Sequence, residues 1–427
     1  MNISKDVRAN FLKSGKKYRL LSLFSGCGGM DLGFEGGFKV HPKAFRNRKS
    51  DVSNTKDWIT LPRTPFQLVF ANDISKDARV LWQNYFHNKY GYNPEIYMQY
   101  SIVDLVKRHK NGEPIFPDDI DIVTGGFPCQ DFSLSGKRRG FSSHRDHNGD
   151  LVQEDTASEE TRGKLYMWMK EVIEITKPKI FIAENVKGLV NLSNTKDIIQ
   201  KDFSSVGKDG YIVLEPRVLH AARYGVPQAR ERVFFIGIKR SALREEAVIK
   251  LTQENIPVMY DPYPQPTHSV DFEEENLLEI LSVGEVLSSL KEPEETDDLS
   301  QQVYSKAKFM GRHCQGQNEI NLAKLSPTIR SEHHGNIEFR RLSESNGGRY
   351  YEELSIGLRE RRLTPRECAL IQTFPYDYEF VMRHPLQANR YLVSPSAAYK
   401  AIGNAVPPLL AYHIANRLDE IWSLYFN

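Results

Sequence analysis

Apolar and polar positions along the first half of the chain follow two alternating patterns. Short runs rich in β-branched and aromatic residues have the length and composition of buried strands: RLLSLFS (19–25), QLVFAN (67–72), IDIVTGG (120–126), KIFIAEN (179–185) and RVFFIGI (232–238). Between them lie stretches of helical length and spacing. GCGGMDLGFEGG opens a helix after the first run, SKDARVLWQNYF follows the second, and GKLYMWMKEVIEIT (163–176) precedes the fourth. Strands alternating with helices predict an α/β fold with a doubly wound, mostly parallel sheet over residues 18–240. Beyond about residue 240 the pattern changes. Pro257, Pro262, Pro264 and Pro266 cluster, an acidic stretch covers 272–298, and no long helical period appears until 396–422. The chain therefore divides into a first domain (1–244), a second, smaller domain of irregular strands and loops (245–375), and a C-terminal segment (376–427) that packs back on the first. Residues 39–65 and the polar stretch 142–161 look like insertions into loops.

Composition narrows the class. Of 427 residues, 40% are hydrophobic and 26% charged, and 22 Phe with 20 Tyr supply ample core material, so a folded rather than disordered chain is expected. No run of about 18 apolar residues is present to span a membrane, and MNISKDVRAN lacks the apolar stretch of a secretory signal. The four cysteines, Cys27, Cys129, Cys314 and Cys368, lie far apart and show no zinc spacing, so a reduced, cytoplasmic protein without a structural metal is expected. Net charge is only +2, but basic residues gather at Lys137, Arg138 and Arg139, at Arg340 and Arg341, and at Arg359, Arg361, Arg362 and Arg366. Each cluster is either a solvated face or a contact for a polyanion.

Candidate chemistry falls at the ends of the predicted strands. FSGCGG (24–29) follows a strand and opens a helix, where glycines bring backbone N–H groups close to a ligand. Asp73 ends the second strand, where an acidic side chain can hold ribose hydroxyls. Its distance from Gly26 exceeds the roughly 20 residues of a dinucleotide fingerprint. The pair points to an adenosine-bearing ligand without naming it. In GGFPCQDFS (125–133), Pro128 fixes the backbone before Cys129 at a sheet edge, and Glu184 and Asn185 end the fourth strand at an equivalent edge. A lone cysteine is more often a small buried hydrophobe. A thiol, a carboxyl and an amide converging on one cleft point instead to a nucleophile and its acid.

LFSGCGGMDLGFEGGF, GGFPCQDFSLSGKRRGF, IAENVKGL, PQARERVFFIG, RRLTPRECALIQTFP and YKAIGNAVPP occur in this order. Together they resemble the ordered blocks of the DNA cytosine-5 methyltransferase family, across most of 18–240 and 359–415. The resemblance implies the Rossmann-like fold of enzymes that use S-adenosylmethionine, with a target-recognition domain between Arg240 and Arg359. In that case Cys129 matches the nucleophile, Glu184 the acid at ring nitrogen 3, Asn185 the residue orienting it, and Arg232 the arginine that holds the 2-oxo group. Arg230 serves the same region through phosphate or base. Phe24, Ser25, Gly26, Cys27, Gly28, Gly29, Asp73, Ile74, Pro128, Leu165 and Asn404 match the cofactor contacts. The family has an Asp near its third strand for the adenine amine; here the alignment offers Ser101, beside Ile102, with Asp104 as the alternative. Ser133, Ser135, Lys137, Arg138 and Arg139 match the loop that closes over DNA, with Ser135 probing the gap left by the displaced base. SPTIR (326–330) resembles the short recognition-domain signature and puts Thr328 and Arg330 at the DNA.

The resemblance thus implies a monomer acting on double-stranded DNA within a restriction-modification system, with a cognate endonuclease as a possible separate partner. Three rivals stand beside it. A transfer-RNA cytosine-5 methyltransferase shares the catalytic blocks, but the long variable region favours duplex readout. An NAD-dependent oxidoreductase explains the glycine turn and leaves Cys129, Glu184 and QARER without a purpose. A catalytically silent DNA-binding protein is opposed by the intact Cys129, Glu184 and Arg232.

Overall fold

Eight strands make the central sheet: β1 (Tyr18–Leu23), β2 (Phe66–Asn72), β3 (Tyr97–Met98), β4 (Ile122–Gly126), β5 (Ile180–Val186), β6 (Tyr211–Val213), β7 (Arg217–His220) and β8 (Glu231–Lys239). The structure, a computed structural model, describes residues 17–45, 58–128, 165–191, 194–270, 276–331 and 337–427. Strand order is β3-β2-β1-β4-β5-β8-β6, with β7 also paired to β8. The pairs β3–β2, β2–β1, β1–β4 and β4–β5 are parallel. Strand β8 runs antiparallel to β5, β6 and β7. The sheet is thus mostly parallel with an antiparallel flank.

The near-continuous apolar runs follow from cover on both faces. Successive side chains point to opposite sides, so Leu20, Ile122, Ile180, Ile182, Phe234 and Ile236 join one core cluster. Leu21, Leu23, Val123, Phe181, Ala183 and Phe235 join the other. Helices α1 (Gly29–Glu35) and α2 (Lys76–Tyr90) contribute to the first cluster; α3 (Ile102–Lys110), α4 (Leu165–Thr176) and α5 (Thr195–Ser204) contribute to the second. Helix α2 starts where sequence rules place it. The Ser75 hydroxyl accepts the Ala78 N–H at 3.2 Å, and the helix ends at Gly91, whose φ is 72°.

The predicted C-terminal helix is two helices, α7 (Pro395–Asn404) and α8 (Pro408–Tyr425), α6 (Pro365–Ile371) preceding them. Pro407 and Pro408 cannot donate backbone hydrogen bonds, and Pro408 sits at the start of α8 where that lack costs nothing. Helix α8 returns to the central sheet, with Trp422 stacked on Tyr18 of β1 at 3.9 Å between ring centroids.

Residues between α5 and α6 include short helices, Val283–Leu287, Leu299–Gln302 and Tyr351–Ser355, and the strand pair Phe339–Arg341 and Arg361–Arg362. Leu281, Val283, Ile320, Ile329 and Leu363 share the core cluster that contains α8, so this region is packed onto the sheet domain. The described parts of the 39–65 insertion make a small antiparallel pair, Lys39–Val40 with Ile59–Thr60. They also brace the two regions: the Lys43 carbonyl meets His268 Nε2 at 3.0 Å, and the Lys43 ammonium pairs with Glu285. Residues 142–161 lie outside the described residues.

Two arginine clusters read from the sequence as possible DNA contacts are largely interior. Arg341, Arg361, Arg362 and Arg366 are all no more than 4% exposed. Glu292 pairs with Arg341 at 2.6 Å and with Arg361 at 3.0 Å. Glu353 holds the other side of Arg341, Glu367 the other side of Arg361, and Asp298 pairs with Arg366. The Arg362 guanidinium donates to the carbonyls of Ala307 and Gly316. A buried charge is tolerable only when paired, and these carboxylates supply the pairing. Glu292→Ala should therefore lower unfolding free energy by about 3 kcal/mol, because it strips a shared partner from two buried guanidinium groups. A denaturant midpoint unchanged from wild type would show the cluster to be dispensable.

Candidate active site

Doubly wound sheets bind ligands where strand order reverses, at the carboxyl ends of the strands. Here the reversal falls between β1 and β4. The segment after β1 is Phe24–Gly29. Phe24 has φ 52°, an uncommon left-handed conformation for a bulky residue, and Ser25 N–H binds the Asn72 carbonyl at 2.8 Å. Gly26 has φ 55°, and a side chain there would meet nothing within 4 Å. Its N–H donates to Asp73 Oδ2 at 3.0 Å, and Ser75 N–H donates to Asp73 Oδ1 at 2.8 Å. Burial pushes the Asp73 carboxyl upward, and backbone N–H donors with nearby Lys400 oppose it. Each carboxylate oxygen retains acceptor capacity. An open glycine turn beside such a carboxylate fits a ligand carrying a polar tail and vicinal hydroxyls. Ile74, 44% exposed, flanks it.

The turn rests on a network that the sequence reading did not assign. Every residue of α1 is buried, yet the helix contains Asp31. Asp31 accepts from Ser22 Oγ at 2.5 Å and from Trp82 Nε1 at 2.9 Å; Ser25 Oγ meets Ser22 Oγ at 2.8 Å. Burial raises the Asp31 pKa to about 6 against these hydrogen bonds. Tyr97 donates its hydroxyl to the Gly26 carbonyl at 2.9 Å. An acidic residue inside an apolar helical run was the available signal.

Ser101, a candidate for the adenine amine, caps α3: its Oγ accepts the Val103 N–H at 3.3 Å, and Asp104 lies in the first turn. Ile102 is buried beside it, and Leu165 is buried at the start of α4. Helix α7 closes the other side of the turn. Cys27 Sγ lies 3.5 Å from the Ala401 carbonyl, and exposed Asn404 ends α7. Gly29 also lies against this segment, at the Val406 carbonyl.

The second half of the site lies at the ends of β4 and β5. Gly126 pairs with Glu184, and a side chain on Gly126 would come within 2.9 Å of Glu184 Oε2 and push the carboxyl from this position. Asn185 Nδ2 donates to the Phe127 carbonyl at 3.1 Å, tying the β5 end to the segment that reaches Pro128. Cys129 is the next residue and lies outside the described residues, as do Ser133, Ser135, Lys137, Arg138 and Arg139. Because β8 is antiparallel, its N-terminal end reaches the same edge, and Arg232 pairs with Val186. Arg232 Nε lies 3.0 Å from Glu184 Oε1. Glu184 is 7% exposed. Burial raises its pKa more than Arg232 and Arg230 lower it, so its proton is held above the ordinary carboxylate range despite the ion pair.

Arg230 differs from expectation. It is 1% exposed, and its guanidinium donates to the carbonyls of Ile329, Gly403 and Ala405 at 3.0, 2.9 and 2.9 Å. A side chain so occupied has these donors committed to backbone carbonyls. Thr328, half-buried, donates its hydroxyl to the Ala229 carbonyl at 2.6 Å, and Arg330 is half-buried beside Gly403.

The sequence profile of the C-5 cytosine-specific DNA methylases matches residues 18–420. The chain belongs to that family. It is a DNA cytosine-5 methyltransferase, which sets aside the oxidoreductase and leaves the transfer-RNA rival unfavoured. The methylase is 27% identical to the type II methyltransferase M.NgoFVII of Neisseria gonorrhoeae, over 99% of this chain and 91% of that protein. It is 30% identical to M.PspPI of Psychrobacter sp., over 95% of this chain and 80% of that protein. Among solved structures, S. pombe Dnmt2 methyltransferase shares the fold at a TM-score of 0.53 and 17% identity, covering 94% of this chain and 98% of that one. Among the methylase's described residues, no group of His, Cys, Asp and Glu is arranged to hold a metal, and no helix is long and apolar enough to cross a membrane.

Proposed function

We propose that this methylase transfers a methyl group from S-adenosylmethionine to carbon 5 of a cytosine swung out of a specific short duplex site. It acts as the modification enzyme of a type II restriction system in the cytoplasm. The single observation that carries the mechanism is Glu184: a buried carboxyl with a raised pKa, held by Arg232 beside the segment that leads to Cys129. Residues 1–244 with 376–427 do the chemistry, and 245–375 reads the sequence. The named type II relatives support the restriction role.

In this reading the Cys129 thiolate adds to carbon 6 of cytosine, forming a carbon–sulfur bond and pushing electrons toward ring nitrogen 3. Protonated Glu184 stabilises that charge by donating there, and Arg232 fixes the carboxyl while facing the 2-oxo group. Asn185 holds the β5 end against Phe127, setting the distance between acid and nucleophile. The bound donor supplies an electrophilic methyl group for carbon 5. A base takes the carbon-5 proton, the freed electron pair restores the 5,6 double bond and expels the Cys129 thiolate, and S-adenosylhomocysteine is left as the spent donor. Removing the base from the stack costs a few kcal/mol, which contacts from 133–139, Thr328 and Arg330 offset.

The open turn at Gly26 and the acceptor capacity of Asp73 fit the donor's methionine and ribose ends. Asp73→Ala should weaken S-adenosylmethionine binding about 10- to 100-fold, the worth of charge-assisted hydrogen bonds, as read by calorimetry. Unchanged affinity would remove Asp73 from the site. For the function itself, bisulfite sequencing of DNA from cells expressing the protein should show protected cytosines in one short context. Absence of protection, or protection scattered without context, would overturn the reading.

A further inference from the structure

Residues 228–230 form a joint between three parts of the molecule. The segment 326–330 runs beside them: Ala229 N–H binds the Ser326 carbonyl at 2.8 Å, Ser326 N–H binds the Pro227 carbonyl at 3.0 Å, and Ile329 N–H binds Gln228 Oε1 at 3.0 Å. Arg230 completes that contact through the Ile329 carbonyl at 3.0 Å. On the other side it grips the Gly403 and Ala405 carbonyls, both at 2.9 Å, which belong to the two residues flanking Asn404. Gln372 repeats the tie, donating to the Ile402 and Ala405 carbonyls at 3.2 and 2.7 Å while accepting from Gln228. The two segments also touch directly, since any side chain on Gly403 would come within 2.2 Å of the Arg330 backbone. Across α7's end, the Val406 carbonyl lies against Gly29 of the glycine turn, 2.3 Å from where a side chain there would begin.

The break between α7 and α8 explains why the clamp exists. A helix that ends leaves carbonyls without intrahelical partners, and here a buried guanidinium takes them. The same guanidinium holds segment 326–330, and two residues further on, at the start of β8, Arg232 holds Glu184. We propose that Arg230 is a positioning residue that couples occupancy of the DNA site to occupancy of the cofactor site. Shifting 326–330 against DNA moves the carbonyl frame of 403–405, and seating the cofactor against Asn404 and the glycine turn moves it in return. This rests on the assignment of S-adenosylmethionine to the glycine turn and DNA to 326–330.

Coupling of this kind is reciprocal, and its usual size is about 5- to 150-fold in affinity. It can therefore be read from one side, as the ratio of S-adenosylhomocysteine dissociation constants without and with saturating, PCR-amplified and hence unmethylated, DNA fragments. The full-length protein should give a ratio of at least about fivefold. Arg230→Lys keeps the charge, but one ammonium cannot span both carbonyl groups, and its ratio should fall to within about twofold of unity whatever happens to the separate affinities. Gln372→Met removes the parallel tie and should lower the ratio part-way, which provides the reading if Arg230→Lys fails to fold. A purely structural Arg230 would lower the melting temperature and leave the ratio at its wild-type value, and that result overturns the proposal. A wild-type ratio of one overturns it as well. Failure of the wild type to bind S-adenosylhomocysteine or DNA at all would instead overturn the site assignments beneath it.

Discussion

Cys129→Ser should abolish methyl transfer from labelled S-adenosylmethionine while cofactor binding survives. A serine hydroxyl does not ionise near neutral pH as a thiol does, so the attack at carbon 6 loses its nucleophile and the effect should exceed that of any other single substitution. The complementary experiment leaves Cys129 intact and places fluorine at carbon 5 of the target cytosine. The methyl group still arrives, but the last step requires loss of a cation from carbon 5, and fluorine cannot leave as one. The enzyme should stay joined to DNA through the Cys129 sulfur, visible as a shifted band on a denaturing gel. The band should need the cofactor and the thiol, and RNA of the same sequence should give none. Methylated, fluorinated DNA released without any adduct would refute covalent catalysis, and an adduct with RNA alone would move the substrate.

For Glu184→Gln we expect a loss of about 10²- to 10⁴-fold in the single-turnover rate, the usual worth of a positioned acid, with DNA and cofactor affinity little changed. The amide keeps the shape but cannot hand over a proton. The pH profile of the wild type gives a second reading. Burial holds the Glu184 proton above the ordinary carboxylate range. The active, protonated form therefore prevails below that raised value, and the rate governed by it should fall as pH climbs through it. The Gln variant should lose this limb. A limb that persists in Glu184→Gln would assign the titration to another group.

Much of the fold was legible because each central strand is a continuous apolar run ending at a chemically distinctive residue. Leu23, Asn72, Gly126 and Val186 close β1, β2, β4 and β5, within a few residues of Ser25, Asp73, Pro128 and Glu184. Strands β3, β6 and β7 were missed because runs of two to four residues carry no period. The direction of β8 was also hidden, since an apolar run such as RVFFIGI carries no mark of its direction relative to its neighbours. Its reversal matters, because it brings Arg232 rather than Lys239 to the edge that carries Glu184. The arginines failed for a related reason. Sequence shows where a guanidinium starts but not which way it points, and the partners of Arg341 and Arg366, Glu292 and Asp298, lie in a distant segment. Arg230 and Arg232, neighbours in one motif, divide on this point: one meets carbonyls and the other the Glu184 carboxyl.

The inward arginines have a consequence for how the enzyme responds to ionic strength. Each phosphate neutralised on duplex DNA releases condensed counterions and adds about 0.9 to the slope of log affinity against log salt. Arg341, Arg361 and Arg366 are already paired with carboxylates, Arg362 is held by backbone carbonyls, and all four are shielded from solvent, so they release none. The basic count of the chain therefore overstates its electrolyte sensitivity. Binding should be carried to a larger degree by short-range fit, and the enzyme should hold its DNA at salt concentrations that would strip a protein presenting those same side chains to the backbone.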